Sequence, residues 1–237
     1  GAAFLRSQGL DAAWVDARDC LTTEPGDTPE RAALLATCHN RRDPDLDRRL
    51  RQTPGDVLIT QGFIARSPDG HTALLGRGGS DTSAAFFAAR LAAVRCEIWT
   101  DVPGLFTANP KAIGQARLIR HLGYRAALEI CATGAQVLHP RCIPPLEAHG
   151  IPLLVRCTPR PELEGTLIDA SGDTDSPQVQ AISSRQGLTL VSMETVGMWQ
   201  QVGFLAQVFQ VFATHAVSID LISTSEANVT VSFAPEG

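Results

Sequence analysis

The residues best suited to chemistry in this sequence lie in one short stretch, residues 74–85, which reads LLGRGGSDTSAA. Its three glycines allow a tight turn and a close approach of the backbone to a ligand. Ser80 is predicted to cap the helix that follows, whose free N–H groups attract anions. Arg77 adds a planar guanidinium that can hold a carboxylate or phosphate, and Asp81 falls in the first helical turn, where a carboxylate is favoured. The stretch therefore predicts an anion-binding turn, although an ordinary loop can also start a helix in this way.

The elements around this turn are predicted to alternate between strands and helices. A buried strand at 56–61 and a hairpin over 62–75 precede a helix at 80–95 and a second strand at 96–100. Residues 101–104 then turn at the carboxyl end of that strand, where open α/β sheets bind ligands. The remaining elements of this region are predicted helices at 124–133 and 140–149 and a strand at 151–155. The alternation predicts a mostly parallel sheet sandwiched by helices.

After a loop rich in proline and glycine the pattern changes to β-α-β-β. This order is the first part of a ferredoxin-like split unit, and the chain stops before a second helix. We therefore predict an α/β domain over residues 1–170, a linker over 171–177 and a smaller α+β domain over 178–237. The first residues resemble the tail of a helix, so the sequence is predicted to begin inside a domain.

Composition narrows the class of protein. The chain has 237 residues, of which 44% are hydrophobic, and a net charge of −5, and no long basic run suggests a nucleic-acid partner. The densest basic stretch, 41–51, is interleaved with aspartates and is interpreted as a solvated helix face. The sequence shows neither a signal peptide nor a long apolar run, which predicts a cytoplasmic protein without membrane contact.

The six cysteines never form a C-x-x-C pair. They are interpreted as reduced structural thiols, and no metal site is predicted from them. His139 precedes Pro140 and is interpreted as a structural residue at a helix start rather than as a base.

Five segments, in order and spacing, resemble motifs of the aspartate kinases, which belong to the amino-acid kinase family. These segments are residues 61–64 (QGFI), 76–81 (GRGGSD), 99–104 with 106–107 (WTDVPG and FT), 134–140 (GAQVLHP) and 161–166 (PELEGT). The resemblance implies the amino-acid kinase fold, N-terminally incomplete, followed by a partial ACT module. It also implies phosphoryl transfer from ATP to the side-chain carboxylate of L-aspartate, the first step of lysine, threonine and methionine biosynthesis, with Mg²⁺ on the phosphates.

The resemblance also implies roles for individual residues. Arg77 would pair with a substrate carboxylate, Asp81 would arrange the substrate and a catalytic lysine, and Ser80 would contribute to the same site. The positions that match the nucleotide site are Thr100, Asp101, Phe106, Lys111 and Gln136. Three of them depart from the family pattern, because lysine replaces an arginine, glutamine replaces a lysine and phenylalanine replaces a tyrosine. Each departure changes one nucleotide contact that the resemblance implies, and none of them excludes activity.

The C-terminal segment resembles the first ACT domain of the lysine-inhibited branch of the same family. Asp220 and Glu226 can pair with an ammonium group, and loop N–H groups near Gly203 can bind a carboxylate. The implied effector is L-lysine, and the implied assembly is a homodimer through ACT modules. The positions that match the effector site are Met198, Gly203, Phe204, Leu205, Asp220, Ser225 and Glu226. Leu205 can equally be a core residue at a helix start.

One family motif does not occur in the sequence. The first strand of these kinases carries Lys-Phe-Gly-Gly-Thr-Ser, whose lysine meets the transferring phosphoryl group, so we expect this chain alone to lack catalytic activity. Two alternatives remain open. The chain could be an amino-acid sensor or assembly piece without catalysis, or it could belong to another amino-acid kinase that acts on glutamate or carbamate. The ACT segment and the motif at 99–104 disfavour the latter.

Overall fold

A computed structural model describes residues 1–133, 137–172, 179–184, 186–194 and 202–234. The chain divides into two compact units, Gly1–Ser183 and Ser184–Gly237. Within the described residues, no helix is both long enough and apolar enough to cross a membrane.

The first unit alternates short helices and strands. Its helices are α1 (Ala2–Ser7), α2 (Pro29–Leu34), α3 (Pro44–Gln52), α4 (Gly79–Arg90), α5 (Tyr124–Ala132) and α6 (Ile143–Glu147). Its strands are β1 (Ala12–Trp14), β2 (Val57–Ile59), β3 (Ile64–Arg66), β4 (Thr72–Leu74), β5 (Cys96–Thr100), β6 (His121–Leu122), β7 (Leu153–Cys157) and β8 (Thr166–Ile168). Short 3-10 helices lie at Ala17–Asp19, Pro140–Cys142 and Ala170–Gly172.

The described strands of the first unit form three sheets. The largest has the order β5-β7-β8-β6, in which β5 pairs with β7 and β6 with β8 in parallel, whereas β7 and β8 are antiparallel. Strands β1 and β2 form a parallel pair, and β3 and β4 form an antiparallel hairpin. The mixed α/β architecture agrees with the prediction from the sequence, and the short connection between β7 and β8 explains their antiparallel pairing.

Helix α4 packs into two hydrophobic clusters of this unit. Ala85 and Ala88 belong to the cluster that covers the β5-β7-β8-β6 sheet, together with side chains of α5 and α6. Phe86 belongs to the cluster around the β3–β4 hairpin. Small residues on one face and a phenylalanine on the other let the helix approach both sheets closely. The position of its N-terminal turn is therefore fixed from two sides.

All six cysteines are free and buried. Burial raises the pKa of Cys96 and of Cys131 to about 12, so both thiols stay protonated at neutral pH. This agrees with the interpretation of these residues as structural thiols.

The described residues of the second unit form a three-stranded antiparallel sheet with one helix. Its elements are β9 (Thr189–Glu194), α7 (Phe204–Thr214), β10 (Leu221–Thr224) and β11 (Asn228–Phe233). The strand order is β10-β11-β9, so β11 is central, and Val229 and Val231 are fully buried there. The Phe212 ring of α7 meets the Phe233 ring edge to face at 6.0 Å. The β-α-β-β order predicted from the sequence is confirmed.

Candidate active site

The glycine-rich turn joins β4 to α4 through two residues with left-handed backbone conformation. Gly76 has φ 70° and Gly78 has φ 68°, a region that other residues rarely adopt. The amide of Gly79 donates to the carbonyl of Gly76 at 2.9 Å, and the helix begins at Gly79. The prediction that Ser80 caps the helix is wrong. Gly78 occupies the cap position, because its left-handed conformation closes the turn two residues earlier, and Ser80 lies in the first helical turn.

The turn presents three of the predicted site residues together. Arg77 is exposed, and its guanidinium has no hydrogen-bond or ion-pair partner among the residues that the structure describes. Asp81 is half-buried, and its Oδ2 accepts a hydrogen bond from the backbone N–H of His139 at 3.0 Å. Ser80 is exposed on the same turn. The turn therefore carries a guanidinium without a described partner and, four residues further on, an anchored carboxylate.

His139 supports the turn from the side. A methyl group added at Gly78 would overlap the His139 ring, so the imidazole lies directly against the turn. His139 also caps the 3-10 helix Pro140–Cys142, where its Nδ1 accepts from the amide of Arg141 at 3.3 Å. Burial, together with the nearby Arg141 and Arg77, lowers the pKa of His139, while Asp81 opposes the shift. The imidazole is therefore neutral at pH 7 and serves as an acceptor in this helix start.

Phe63 covers the start of α4, a role that its sequence motif does not reveal. Its φ is 75°, a conformation that costs a bulky residue free energy. Its amide donates to Ser83 Oγ at 3.3 Å, and its carbonyl accepts from the Leu75 amide at 2.9 Å. A Cβ on Gly79 would lie 2.5 Å from Cδ2 of the Phe63 ring. Strain of this kind gathers at functional sites, and here it places an aromatic ring over the helix N-terminus.

The first two predicted nucleotide residues lie at the carboxyl end of β5. Thr100 ends the strand, and its hydroxyl donates to Oδ1 of the exposed Asp101 at 3.1 Å. The Thr100 carbonyl accepts from the amide of Thr158 at 2.8 Å, which ties this turn to the end of β7. The position agrees with the expected ligand edge of the sheet.

Two further nucleotide residues lie in the loop that follows, residues 101–120. Phe106 is half-buried and pairs with Leu118 in an isolated antiparallel bridge. Lys111 is exposed, and its amide is held by Oδ1 of Asn109 at 3.0 Å. Lys111 is also the only lysine of the sequence. Gln136, the fifth nucleotide position, lies outside the described residues.

The nucleotide loop is held by groups that the sequence did not reveal as important. Thr166 is completely buried; its Oγ1 accepts from the Leu105 amide at 3.0 Å and donates to the Ile119 carbonyl at 2.6 Å. The amide of Ile182 donates to the Thr107 carbonyl at 2.9 Å. The only sequence signal for Thr166 was its place in the segment 161–166. The loop is thus held at Leu105, Thr107 and Ile119, towards its two ends, and Lys111 between them is exposed to solvent.

The predicted effector residues lie in the second unit, except Met198, which falls outside the described residues. Gly203 has φ 84° and precedes α7, whose first residues are Phe204, half-buried, and Leu205, 40% exposed. This exposure shows that Leu205 is not buried within its own unit.

The other effector positions flank β10. The amide of Asp220 donates to the Ser232 carbonyl at 2.8 Å, just before the strand begins. The amide of Ser225 donates to the Asn228 carbonyl at 2.8 Å and closes the hairpin turn that contains Glu226. The four residues of β10 span about 13 Å, so the two carboxylates lie at opposite ends of one strand.

Comparison with known proteins matches each unit to a known domain family. The Amino acid kinase family is matched over residues 1–157, and an ACT domain is matched over residues 191–234. The chain is 36% identical to lysine-sensitive aspartokinase 3 of Escherichia coli (strain K12) over 237 residues, which is 99% of this chain and 51% of that protein. It is 40% identical over 177 residues to the bifunctional aspartokinase/homoserine dehydrogenase of Haemophilus influenzae, covering 75% of this chain and 22% of that protein.

Solved structures give the same result. Escherichia coli aspartokinase III in complex with aspartate and ADP matches with a TM-score of 0.78 and 34% identity over 99% of this chain and 52% of that one. The same enzyme in complex with lysine and aspartate matches with a TM-score of 0.76 and 35% identity over 97% and 50%. The match to the E. coli aspartokinase covers nearly all of this chain. The chain therefore spans about half the length of that relative.

Proposed function

This chain belongs to the amino-acid kinase family, and we propose that the protein containing it transfers the γ-phosphoryl group of ATP to the side-chain carboxylate of L-aspartate. The products are 4-phospho-L-aspartate and ADP. The observation that carries the proposal is the turn at 76–81, which presents the exposed Arg77, without a described partner, and the carboxylate of Asp81, held by the His139 amide, in a chain similar to aspartokinases.

The chemistry places modest demands on the protein. An aspartate side chain is already ionised at neutral pH, so one of its carboxylate oxygens can attack the γ-phosphorus directly while the bond to the ADP oxygen breaks. No proton transfer is needed. Because both reactants are anions, the protein must position them and neutralise their charge.

We assign these tasks to the residues of the turn. The Arg77 guanidinium binds a carboxylate of the substrate through two parallel hydrogen bonds. Asp81 has one oxygen engaged by the His139 amide, and its other oxygen is available to the substrate ammonium. The N-terminus of α4 adds a partial positive charge near both. The turn can therefore hold an amino acid by its two opposite charges.

The nucleotide is assigned to Thr100, Asp101, Phe106 and Lys111. Lys111, an exposed cation of the loop, suits a phosphate, and Phe106 supplies a ring. Mg²⁺ commonly reaches such sites through nucleotide phosphates, one or two carboxylates and water, so Asp101 is a suitable oxygen donor. The ion would neutralise the charge of the phosphates during the transfer.

The ACT unit is proposed to make the enzyme sensitive to an amino acid, L-lysine, and to pair two subunits. Support comes from the ACT match over residues 191–234 and from the lysine complex of the E. coli relative. Gly203 has a left-handed conformation at the start of α7, and the exposed Glu226 offers a partner for an ammonium.

The test uses the complete natural polypeptide that contains these residues and measures ADP release with L-aspartate and with L-glutamate. We expect turnover with L-aspartate alone. Arg77→Lys should lower kcat/KM for aspartate about tenfold to a hundredfold, because an ammonium cannot form the paired hydrogen bonds. Arg125→Lys is the control, since Arg125 is exposed on α5 and has no described partner. Turnover with glutamate only, or an unaffected Arg77→Lys variant, would overturn the assignment.

A further inference from the structure

Arg141 links three separate segments of the first unit. It lies in the 3-10 helix Pro140–Cys142 and is half-buried. Its Nη1 donates to the Leu75 carbonyl at 2.6 Å, and its Nη2 donates to the Ala36 carbonyl at 2.8 Å and to Thr37 Oγ1 at 3.4 Å. The guanidinium thus joins the end of β4 to the segment that follows α2.

The hydrogen-bond acceptors of Arg141 indicate its structural role. They are two backbone carbonyls and a hydroxyl, and among the described residues Arg141 forms no ion pair. A charge that is not paired contributes through the direction and number of its hydrogen bonds, which a planar guanidinium fixes better than a lysine ammonium. Arg141 therefore connects backbone segments through directed hydrogen bonds rather than through an ion pair. We call this set of hydrogen bonds the tie.

The tie lies next to the substrate-binding turn. Leu75 is two residues before Arg77, and a Cβ on the intervening Gly76 would lie 2.5 Å from Cδ2 of Leu35, so the segment after α2 packs on the turn itself. Arg141 binds the carbonyls on both sides of this contact. Loss of the tie would let the end of β4 and the 34–37 segment separate.

The neighbouring residue holds the other side of the turn. The His139 amide binds Asp81, its ring lies against Gly78, and its Nδ1 accepts from the Arg141 amide. Residues 139–141 therefore contact the turn before and after Arg77. Arg77 itself makes no described contact that would orient it, so its position depends on the contacts that residues 139–141 make with the turn.

We propose that Arg141 is a positioning residue for substrate binding, which fixes the end of β4 so that Arg77 meets the substrate carboxylate. The inference rests on the proposed function, because it takes Arg77 as a substrate contact. It adds a residue that touches neither substrate nor nucleotide.

The experiment compares Arg141→Ala, Arg141→Lys and Arg125→Ala in the complete natural polypeptide, with aspartate and ATP varied separately. For Arg141→Ala we expect KM for aspartate to rise at least tenfold, because misplacement by about 1 Å costs up to a hundredfold, while KM for ATP changes less than about twofold. Arg141→Lys should fall between, and Arg125→Ala should match the wild type. Millimolar guanidinium chloride should restore much of the aspartate affinity of Arg141→Ala and leave the Arg125→Ala control unchanged.

The outcomes separate the two proposals. A wild-type polypeptide without aspartate turnover would overturn the proposed function, and the role of Arg141 would fall with it. Normal wild-type turnover with unchanged KM for aspartate in Arg141→Ala would overturn the role of Arg141 alone. Equal losses in both KM values and kcat, without rescue by guanidinium, would show that Arg141 only supports the fold. If Arg141→Ala does not fold, the split between the two KM values is measured in Arg141→Lys.

Discussion

At the scale of single residues, Gly78 shows how closely the turn is built. It combines a left-handed φ of 68° with direct contact to the His139 ring. For Gly78→Ala we expect the free energy of unfolding to fall by about 3 kcal/mol, from backbone strain and overpacking together. Gly70→Ala is the control, because Gly70 has φ 89° with no neighbouring atom within 4 Å, and should lose only about 1 kcal/mol. Urea denaturation measures both free energies of unfolding. Equal losses in the two variants would contradict a close contact between Gly78 and the His139 ring.

His139 makes the fold sensitive to pH. Its pKa is lowered in the folded state from the usual value of 6.5, so the unfolded chain binds the proton more readily. The stabilising contribution of the neutral imidazole is therefore present above pH 6.5 and is lost as the pH falls through the folded pKa. In His139→Asn, whose side-chain oxygen can still accept from Arg141, the unfolding free energy should change less between pH 7.5 and 5.5.

The carboxylates with the lowest pKa values do not obscure this comparison. Hydrogen bonds from the Arg18 side chain lower the pKa of Asp16 to about 2, and hydrogen bonds from Ser171 and His121 do the same for Asp169. Protonation of these two carboxylates changes the stability of the fold only below about pH 4. If the unfolding free energies of the wild type and His139→Asn change by the same amount between pH 7.5 and 5.5, His139 contributes nothing to the pH dependence of stability.

The sequence could predict some site residues better than others. Arg77 and Asp81 stand out by type and spacing within a glycine-rich turn. Arg141 could not be found this way, because its acceptors are backbone carbonyls 66 and 105 residues distant in the sequence. The strain at Phe63 could not be found either, since phenylalanine is not a residue expected at positive φ.

At the scale of elements, the nucleotide loop depends on the hydroxyl of Thr166 in β8. Thr166→Val keeps the shape of the side chain but leaves the buried Leu105 amide and the partly buried Ile119 carbonyl without a partner. We expect the free energy of unfolding to fall by about 2 kcal/mol, measured by urea denaturation. Thr158→Val, at an exposed threonine whose hydroxyl has no described partner, should change it by less than about 0.5 kcal/mol. A similar small change in both variants would rule out the role of Thr166.

Element boundaries show where local patterns stop being informative. The strand predicted at 96–100 coincides with β5, because its apolar alternation is bounded by clear turn signals. Helix α4 ends at Arg90, five residues before the predicted end. Ala92 adopts φ 46° and the Ala93 amide bonds back to the Ala88 carbonyl, a helix end that an alanine-rich sequence does not announce.

At the scale of the whole molecule, the two units are proposed to bind different ligands. For the 237-residue chain we expect calorimetry to detect L-lysine binding even without kinase turnover, because the ACT unit has its own sheet and core. Glu226→Gln should weaken lysine binding about tenfold or more through loss of one charged hydrogen bond. Glu162→Gln, in the first unit, is the control. Absence of heat with lysine for the unmodified chain would contradict the effector assignment.

The order of elements within each unit was the most predictable level of organisation, because strand and helix periodicities differ and repeat along the chain. The pairing of β7 with β8 in opposite directions, inside an otherwise parallel sheet, depends on contacts between segments and was not predictable from either strand.

The solitary lysine of the sequence gives the chain a built-in attachment point for a reporter group. Lys111 protrudes at the centre of a loop that is tied down at both ends, so an amine-directed fluorophore would attach there or at the terminal amine and nowhere else in these 237 residues. Lys111→Arg removes the attachment point and keeps the positive charge. Because modification of the amine removes the positive charge that we propose binds phosphate, labelling should weaken nucleotide binding, and Lys111→Arg should escape this loss.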